Sequence, residues 1–396
     1  MLRKVISVLL ALSLSVMVLA GCTTTTEEKK TEEPKTPYKV GAILSVTGPN
    51  APLGDPEKKT LEMEVEAYNK AGGANGHKIE LTIEDDESDP AKAVAAATKL
   101  IKQDKVCAII GGTGTPSSMA IKPIVTQNKI PWIALAAGNA ITVDANNKVE
   151  KWIFRAPAKN SIAADAALTY IEKTLKAKKI AILYDSNPFG QDGFTQIQKE
   201  APKRGMTIVS SEKYETTATD VTTQLTNIKN ANPEVVIVWG TNPVPAKAAQ
   251  TMKQLGMTMP FVGSHGIANK KFIELAAADA ENVVFPSGKI TFPESIKSGS
   301  AQRKAVDKFI TDYKAKYNNE VPNTFAGHAW DAFHILVNAL AKSGNNNEKL
   351  RSEIEMTKNF AGPDGIYNYK STDHDGLKAT DLIMIKIVGG KWTLIK

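Results

Sequence analysis

The feature that most constrains the fold of this chain is a repeated alternation between short apolar runs and segments with helical periodicity. The runs YKVGAILSV, KVCAIIGG and IPWIALAA are almost continuously apolar, and between them apolar residues recur at helical spacing, as in Leu61, Val65 and Tyr68. Strands that are apolar on both faces are typical of a parallel sheet covered by helices on both sides. The first part of the chain therefore predicts an α/β lobe built on a parallel sheet.

The same alternation begins again with a helix predicted from Ser161 to Leu175, followed by the strand KIAILYD. A chain of 396 residues also exceeds a comfortable size for one core. We therefore predict two Rossmann-like lobes with parallel central sheets and a cleft between them, closed at the C-terminus by the hairpin LIMIKIV and KWTLI. Ligand-binding groups are expected at the carboxyl ends of the strands, where loops and helix N-termini meet.

The N-terminus carries the pattern of a secretion signal. A positively charged start precedes an apolar run of 14 residues, 5–18. This run is shorter than the ~20 residues that a membrane-spanning helix needs, so we expect residues 1–21 to be a signal peptide. Residues 22–37 follow, and beyond Cys22 they contain no apolar residue except two prolines, which predicts a tether.

Charge and cysteine content argue against two other classes of protein. Removal of Arg3 and Lys4 with the signal lowers the formal net charge from +7 to +5. The remaining excess is spread along the chain, so the sequence predicts no binding of nucleic acid. Cys107 is the one cysteine besides Cys22, and its apolar surroundings predict a buried thiol rather than half of a disulfide.

No arrangement of residues in the sequence predicts catalysis or metal binding. The five histidines occur without HExxH or Cys/His zinc spacing, and GGTGTP lacks the Lys-Ser/Thr of a phosphate-binding loop. The acidic stretch EDDESD, residues 84–89, lacks the spacing of a calcium loop, so we interpret it as a solvated strand end, with a cation site as the alternative. The prediction is no catalytic residue, no bound metal and no cofactor.

Six segments that occur in order carry a resemblance to a known family: GPNAPLGDPEKKT, AGGANGHKIELTIEDDESDP, IIGGTGTPSSMAIKPIV, IPWIA, WIFRAPAKNS and PFGQDG. Together they resemble the leucine/isoleucine/valine-binding (branched-chain amino acid) branch of ABC-transporter substrate-binding proteins. The resemblance implies the type I periplasmic-binding-protein (Venus flytrap) architecture, in which three crossovers form the hinge. It implies a first lobe of residues 38–157 plus about 288–357, and a second lobe of residues 158–287 plus about 358–396.

The end of the signal segment, LAGC, resembles the lipobox of bacterial lipoproteins. In those proteins the cysteine thiol receives a diacylglyceryl group and the peptide is cut just before it. The resemblance implies that Cys22 anchors the protein to a bacterial membrane outside the cytoplasm, in a periplasm or on the outer face of the plasma membrane. An ordinary secretory signal that happens to end in cysteine is the alternative.

The resemblance to the amino-acid-binding family also implies a set of ligand-binding positions. In that family a hydroxyl after the third strand and backbone amides after the fourth hold the ligand carboxylate, and these positions fall on Thr115, Ala136 and Gly138. Gly138 stands where the family commonly has threonine, which removes one side-chain hydrogen bond. Further positions that approach the ligand are Leu53, Asn160, Phe189 and Thr241. Core packing is the alternative role for Leu53 and Phe189, and capping of a helix is an alternative or additional role for Thr115.

The flanking pattern G..GIAN places His265 where the family's amino-acid binders have an acidic side chain that meets the ligand's ammonium group. A buried ammonium without an anion loses a charge-assisted hydrogen bond worth about 1.5–3 kcal/mol, or about one to two orders of magnitude in affinity. A neutral imidazole accepts one hydrogen bond but does not neutralise a cation. His265 therefore favours a carboxylate or amide ligand without an ammonium, unless it is a loop histidine bonded to a backbone carbonyl.

Taken together, the resemblance implies a binding protein and not an enzyme. Its ligand is expected to be an amino acid or a related carboxylate or amide, captured in the cleft by a monomer and delivered to an ABC permease. Two alternatives stay open on sequence alone: a sensor that hands its closed form to a membrane receptor, and a lipoprotein enzyme of the amidase type.

Overall fold

The computed structural model describes residues 35–395, so the expected signal peptide, Cys22 and most of the expected tether lie outside the described residues. The strands are β1 Lys35–Leu44, β2 His77–Asp85, β3 Ala108–Gly111, β4 Trp132–Ala134, β5 Ile153–Arg155, β6 Lys179–Asp185, β7 Thr207–Tyr214, β8 Val235–Trp239, β9 Phe261–Gly263, β10 Val284–Gly288, β11 Phe360–Ala361, β12 Ile366–Tyr367, β13 Leu382–Val388 and β14 Lys391–Leu394. The α-helices are α1 Ala51–Lys70, α2 Pro90–Lys99, α3 Thr115–Asn128, α4 Asn160–Tyr170, α5 Pro188–Glu200, α6 Thr222–Asn230, α7 Val244–Gln254, α8 Lys270–Ala276, α9 Ala301–Lys316, α10 Thr324–Ser343 and α11 Asn347–Glu355. Among these residues no helix has the length and apolar composition that crossing a lipid bilayer requires.

The first lobe is built on a five-stranded sheet in the order β2-β1-β3-β4-β5, and all of its strand pairs are parallel. Strand β3 is buried along its whole length because helices cover both faces of the sheet. Helices α1 and α10 pack on one face around Leu61 and Phe333. Helices α2 and α3 pack on the other face around Ala97 and Ile121. This lobe confirms the predicted parallel sheet between two helical layers.

The second lobe contains a seven-stranded sheet in the order β14-β13-β10-β9-β8-β6-β7. Its strands from β6 to β10 are parallel, and β13 and β14 add to the edge as an antiparallel hairpin. Gly389 and Gly390 both adopt positive φ, at 56° and 70°, which is the conformation that a two-residue hairpin turn of this kind requires. The predicted C-terminal hairpin is therefore confirmed.

The chain passes between the two lobes three times, after β5, after β10 and before β13. The last passage lies later than the boundary expected near residue 358. Tyr367 and Tyr369 are buried in the core of the first lobe, and their hydroxyl groups donate to the carbonyl oxygens of Ala156 and Arg155 at 2.7 and 2.6 Å. Residues 360–377 thus belong to the first lobe, because their aromatic rings fill its core.

Strand β1 also begins earlier than expected. The sequence predicts a tether through residue 37, but Lys35 already lies opposite His77 in the pairing of β1 with β2. The ammonium group of Lys35 donates to the carbonyl oxygen of Asn75 at 2.8 Å, and the ring of His77 contacts the carbonyl oxygen of Thr36 at 2.7 Å. These polar contacts extend the sheet into a stretch whose composition carries no strand signal.

A buried ion pair and a partly exposed one join the segments of the first and third crossovers. The guanidinium of Arg155, just before the first crossover, lies 3.0 Å from a carboxylate oxygen of Asp375. The ammonium of Lys159 lies 2.7 Å from the other oxygen of the same carboxylate. Removing one partner of a buried ion pair is strongly destabilising, so these contacts fix the hinge about which the lobes are arranged.

Candidate ligand-binding site

A cavity lies between the two lobes, at the carboxyl ends of the parallel strands in both sheets. Residues of both lobes line it, and clefts between lobes are where small-molecule sites commonly form. Six of the eight residues predicted to bind ligand line this cavity: Leu53, Thr115, Ala136, Phe189, Thr241 and His265. Residues separated by more than 200 positions in the sequence are therefore brought to one place by the fold. The other two, Gly138 and Asn160, lie behind its walls.

Thr115 is the central polar residue of the first-lobe wall. It follows the buried strand β3 and is the first residue of α3, with Gly114 at the N-cap position and Pro116 in the first turn. The Thr115 side chain is only 4% exposed, and its hydroxyl oxygen has no hydrogen-bond partner within residues 35–395. Thr115 therefore does not cap the helix. Its hydroxyl and the positive end of the α3 dipole face a site suited to an anion.

Ala136 and Gly138 follow β4 on the same wall, but only Ala136 lines the cavity. A Cβ atom on Gly138 would lie 2.4 Å from the Cγ2 methyl of Thr115, so a larger residue here would displace that threonine. The Gly138 carbonyl oxygen accepts a hydrogen bond from the Arg155 guanidinium at 2.6 Å. Gly138 is thus placed to hold Thr115 in position rather than to touch a ligand through its own surface.

The wall from the second lobe is aromatic. Phe189 lies in the first turn of α5, where the Asn187 side chain caps the helix by accepting from the N–H groups of Phe189 and Gly190. The Phe189 ring packs edge-on to His265 with 5.5 Å between ring centroids, and Trp239 lies behind both rings. Phe189 therefore supplies an apolar surface to the cavity and also packs within the lobe.

Asn160 was predicted to approach the ligand, but the structure places it behind this aromatic wall. Its carbonyl oxygen accepts from the indole N–H of Trp239 at 3.2 Å, and its amide donates to the Asp192 carboxylate at 2.8 Å. Asn160 is fully buried, and both ends of its side chain are engaged with protein. Because its side chain is bonded to Trp239 and to Asp192 of α5, Asn160 lies behind the wall and does not line the cavity.

Hydrogen bonds join the lobes across the cleft, and beside the first crossover the Ser161 N–H donates to the side-chain carbonyl of Asn139 at 3.1 Å. The Thr241 hydroxyl in the second lobe donates to the side-chain carbonyl of Asn50 in the first lobe at 3.2 Å. The backbone N–H of Asn139 in the first lobe donates to the Asp192 carboxylate in the second at 2.8 Å. These contacts require both lobes to be near each other, so the structure shows the closed arrangement of the cleft.

His265 opens a short 3-10 helix, His265–Ile267, directly after β9. The Ser264 hydroxyl fixes this turn by donating to the Gly240 carbonyl at 2.7 Å and accepting from the Gly266 N–H at 3.2 Å. The ring is 8% exposed, and in the described part of the chain neither ring nitrogen has a hydrogen-bond partner. The alternative of a loop histidine bonded to a backbone carbonyl is therefore not what the structure shows.

The electrostatics of the site keep His265 uncharged. Burial, together with the nearby positive charge of Arg155, lowers the pKa of His265 from 6.5 to about 4. The imidazole is therefore neutral at pH 7 and offers one acceptor and one donor to a ligand. It neither attracts an anion by charge nor neutralises a cation.

Sequence reasoning missed several residues of the cavity wall, namely Asn50, Thr113, Pro157, Asn187, Phe325 and His328. His328 lies in α10, and its Nδ1 atom lacks a partner among residues 35–395. Burial and the neighbouring His265 lower the pKa of His328 to about 3, so this ring is neutral as well. His334, six residues further along α10, contacts Glu64 and does not line the cavity. No local pattern marks His328, since only the return of α10 to the first lobe brings it to the cleft.

The acidic stretch at residues 84–89 holds loops together. The Asp85 carboxylate accepts from the backbone and hydroxyl of Thr47, the Asp86 carboxylate accepts from the Ser45 hydroxyl, and Asp89 caps α2. Among the described residues no group of three or more His, Cys, Asp or Glu side chains is arranged to hold a metal ion. The carboxylates of this stretch thus serve strand ends and a helix cap.

Comparison with known proteins places this cavity in context. The profile of the periplasmic binding protein family matches residues 37–391. A leucine-, isoleucine-, valine-, threonine- and alanine-binding protein of Pseudomonas aeruginosa is 26% identical over 327 residues, which cover 83% of this chain and 84% of that protein.

Two solved structures share the fold across nearly the whole chain. An extracellular ligand-binding receptor from Rhodopseudomonas palustris HaA2 superposes with a TM-score of 0.84 at 27% identity, covering 91% of this chain and all of that one. The branched-chain amino acid transporter substrate-binding protein LivJ from Streptococcus pneumoniae, solved with isoleucine, gives a TM-score of 0.79 at 28% identity and covers 90% and 98% of the two chains. With the two-lobed α/β architecture and the interlobe cavity, these matches show that the chain belongs to the periplasmic binding protein family.

Proposed function

We propose that this protein is an extracytoplasmic, lipid-anchored solute-binding protein that captures a small ligand in the interlobe cavity and presents its closed form to an ABC permease. The observation that carries the proposal is the set of buried polar atoms in the cavity that have no partner within residues 35–395, above all the Thr115 hydroxyl and both ring nitrogens of His265. A buried polar group without a partner is costly, and a ligand that supplies hydrogen bonds removes this cost.

A carboxylate suits the first-lobe side of the cavity. The Thr115 hydroxyl donates one hydrogen bond, the N-terminus of α3 adds a favourable dipole, and the backbone at Ala136 lies on the same wall. The proteins named above support this assignment, since one is described as binding leucine, isoleucine, valine, threonine and alanine, and another was solved with isoleucine. The ligand class is therefore an amino acid or a related carboxylate or amide.

Capture works by closure and not by chemical conversion. Each lobe supplies one wall of the cavity, and the hydrogen bonds from Thr241 to Asn50 and from Asn139 to Asp192 exist only when the lobes meet. A ligand that touches both walls stabilises the closed state through contacts that the open state does not offer. The protein acts as a monomer in this mechanism, because one chain provides both walls.

A thermal-shift screen of the mature protein tests the proposal. The panel contains branched-chain and other amino acids, aromatic carboxylates, short acids and amides, and each compound is recovered afterwards to check that it is unchanged. A ligand at 100 times its Kd adds about 2.7 kcal/mol of stability, which corresponds to a rise of several degrees in Tm. If no member of the panel raises the Tm, or if a compound is converted, the assignment as a carboxylate-binding transport protein is wrong.

The anchor has its own test. The lipobox pattern LAGC supports lipidation at Cys22, which lies outside the described residues. Metabolic labelling with a fatty acid is expected to mark the wild-type protein and not Cys22→Ala, and the variant is expected to leave the membrane fraction. Retained label and retained membrane association in Cys22→Ala would contradict lipid anchoring at this cysteine.

A further inference from the structure

A second, smaller cavity adjoins the ligand cavity at two histidines. His265 and His328 line both cavities, and the second one is also lined by Thr324 and Asp364. This second cavity is narrow, with free space comparable to that of a single water molecule. A ligand held in the first cavity therefore adjoins a mostly apolar space with a few buried polar side chains, and of the positions inferred from the sequence only His265 lines it.

Three buried side chains at this junction have atoms without hydrogen-bond partners. Among the described residues, these atoms are both ring nitrogens of His265, Nδ1 of His328 and Oδ2 of Asp364. The three side chains come from different parts of the fold, and the residues are 8%, 6% and 2% exposed. Buried polar groups in native proteins are almost always paired. Their convergence therefore indicates a ligand group that supplies the missing partners.

Once Asp364 is ionised, three acceptor atoms at this junction lack a donor, one on each imidazole and one on the carboxylate. Burial keeps both imidazoles neutral, with the pKa of His265 lowered to about 4 and that of His328 to about 3, so each ring has one acceptor nitrogen. An ionised Asp364 offers only acceptors, and its other oxygen, Oδ1, already accepts from the Thr324 hydroxyl at 2.8 Å. Two imidazole nitrogens and one carboxylate oxygen match the three N–H donors of an ammonium group.

We propose that His265, His328 and Asp364 together bind the α-ammonium group of an amino acid whose carboxylate lies at Thr115. This inference rests on the proposed function and deepens it by naming the side chains that recognise the ligand's amino group. Asp364 supplies the negative charge that the related amino-acid binders take from an acid at the position of His265. The sequence favours a ligand without an ammonium group. The ligand proposed instead is an α-amino acid.

The surroundings of Asp364 give this site a measurable signature. Burial and the negative charge of Asp381 raise the pKa of Asp364 to about 8, so the empty site holds a protonated carboxyl at pH 7. An arriving ammonium favours the ionised form, and the proton then leaves Asp364 for the solvent. The titratable groups that face this carboxyl are Asp331, His328, Tyr367, Asp381 and His265.

Matched ligand pairs test the proposal. Each of the twenty protein amino acids is titrated into the full protein beside the same acid without its amino group, for example leucine beside 4-methylpentanoate. The tightest amino acid is expected to bind about tenfold or more tightly than its partner acid. Equal or tighter binding of the partner acid would overturn the ammonium site while leaving the carboxylate-binding function intact. If neither member of any pair binds, both the proposed function and this inference are wrong.

Asp364→Asn removes the negative charge and keeps an oxygen that accepts from Thr324. The variant is expected to lose about tenfold or more of its affinity for the amino acid and to keep its affinity for the partner acid. Asp307→Asn, an exposed carboxylate on α9 that lines neither cavity, is the control and is expected to leave the preference for the amino acid unchanged. An unchanged preference in Asp364→Asn would contradict the inference.

Proton release provides a readout on the wild-type protein that does not depend on the folding of a variant. Calorimetric titration at pH 7 in two buffers of different ionisation enthalpy is expected to show roughly one proton released per amino acid bound, because the Asp364 pKa of about 8 falls on binding. The release is expected to decline as the pH is raised above 8, where Asp364 is already ionised. Binding without proton release at pH 7 would contradict the assignment of the charge to Asp364.

Discussion

Single polar atoms in the cavity connect the stability of the free protein with its affinity for ligand. The Thr115 hydroxyl and the His265 ring nitrogens are buried without partners in the described chain. Such groups destabilise the empty protein, whereas a ligand that pairs them regains charge-assisted hydrogen bonds. Substitutions that remove them therefore affect the free energy of unfolding and the free energy of binding differently.

Thr115→Val tests this separation with almost no change in side-chain shape. We expect the affinity for the carboxylate ligand to fall by about one to two orders of magnitude, since one hydrogen bond to a charged group is lost. The free energy of unfolding without ligand is expected to stay constant or to rise, because a buried unpaired hydroxyl is removed. Thr126→Val, which removes an unpaired hydroxyl near the other end of α3, is the control and is expected to leave affinity unchanged. Unchanged affinity in Thr115→Val would contradict the carboxylate position.

His265 predicts a pH dependence of stability whose sign follows from its lowered pKa. The unfolded chain binds a proton at this residue below pH ~6.5, whereas the folded protein does so only below about 4. The stability contributed by the neutral ring is therefore complete above pH 6.5 and falls as the pH drops to 4, by up to about 3 kcal/mol. His265→Gln is expected to lose less stability than wild type between pH 7 and 4.5 in urea titrations. Equal slopes would refute the burial of a neutral ring, and His334→Gln serves as the control.

The site was only partly predictable at this scale, for a physical reason. Thr115, Ala136 and His265 directly follow buried strands, so sequence position fixed them at the cleft edge once the fold class was known. Gly138 and Asn160 share this location, but their contacts with Thr115 and Trp239 turn them into supports for the walls. His328 and Asp364 lie in segments far along the chain from the strands that end at the cleft. No local sequence pattern predicts that these segments reach it.

At the scale of secondary-structure elements, α5 of the second lobe forms a hydrogen bond to the first lobe. Asp192, in its second turn, accepts from the Asn139 N–H across the cleft and from the Asn160 amide within its own lobe. The same side chain also accepts from Gln196 at 3.0 Å. Asp192 on α5 is thus bonded both to Asn160, which supports the aromatic wall, and to the first lobe across the cleft.

Asp192→Ala is expected to weaken ligand binding severalfold, because the closed state loses a charge-assisted hydrogen bond that the open state never has. The loss is expected in the dissociation rate, measured by stopped-flow competition, since the contact forms only after encounter. Gln196→Ala removes a neighbour of Asp192 on the same helix without touching the first lobe, and it should leave the dissociation rate unchanged. Identical dissociation rates in wild type and Asp192→Ala would show that this contact does not hold the cleft closed.

Strands were easier to predict than helix limits. Continuous apolar runs such as β3 and β8 are short and buried on both faces, and few secondary structures other than a buried strand fit that pattern. Helix α1 begins at Ala51, well before the apolar repeat that starts at Leu61, because Pro52, Gly54 and Pro56 interrupt the helical pattern within its first turns. Helix α11 was not predicted at all, since only Leu350 and Ile354 are buried along its length.

At the scale of the whole molecule, alternation of strands and helices was enough to predict two α/β lobes, whereas the division of the chain between them was not. The third crossover falls after Leu377 because Tyr367 and Tyr369 pack into the first lobe and bond to residues beside the first crossover. The Arg155–Asp375 ion pair joins these same two segments. The hinge is thus bonded internally, which suits rotation of two rigid lobes about a fixed axis.

The central claim is that ligand closes the cleft, and a distance measurement between the lobes tests it most directly. Spin labels at Gln127→Cys on α3 and Lys199→Cys on α5 report the separation of the lobes, in a chain with Cys22→Ala. The remaining Cys107 is buried, and burial raises the pKa of its thiol to about 12, so it competes poorly for the label. With saturating ligand from the thermal screen, electron–electron distance measurements are expected to give one short, narrow distribution in place of a longer, broader one. A distribution that saturating ligand leaves unchanged would contradict capture by closure.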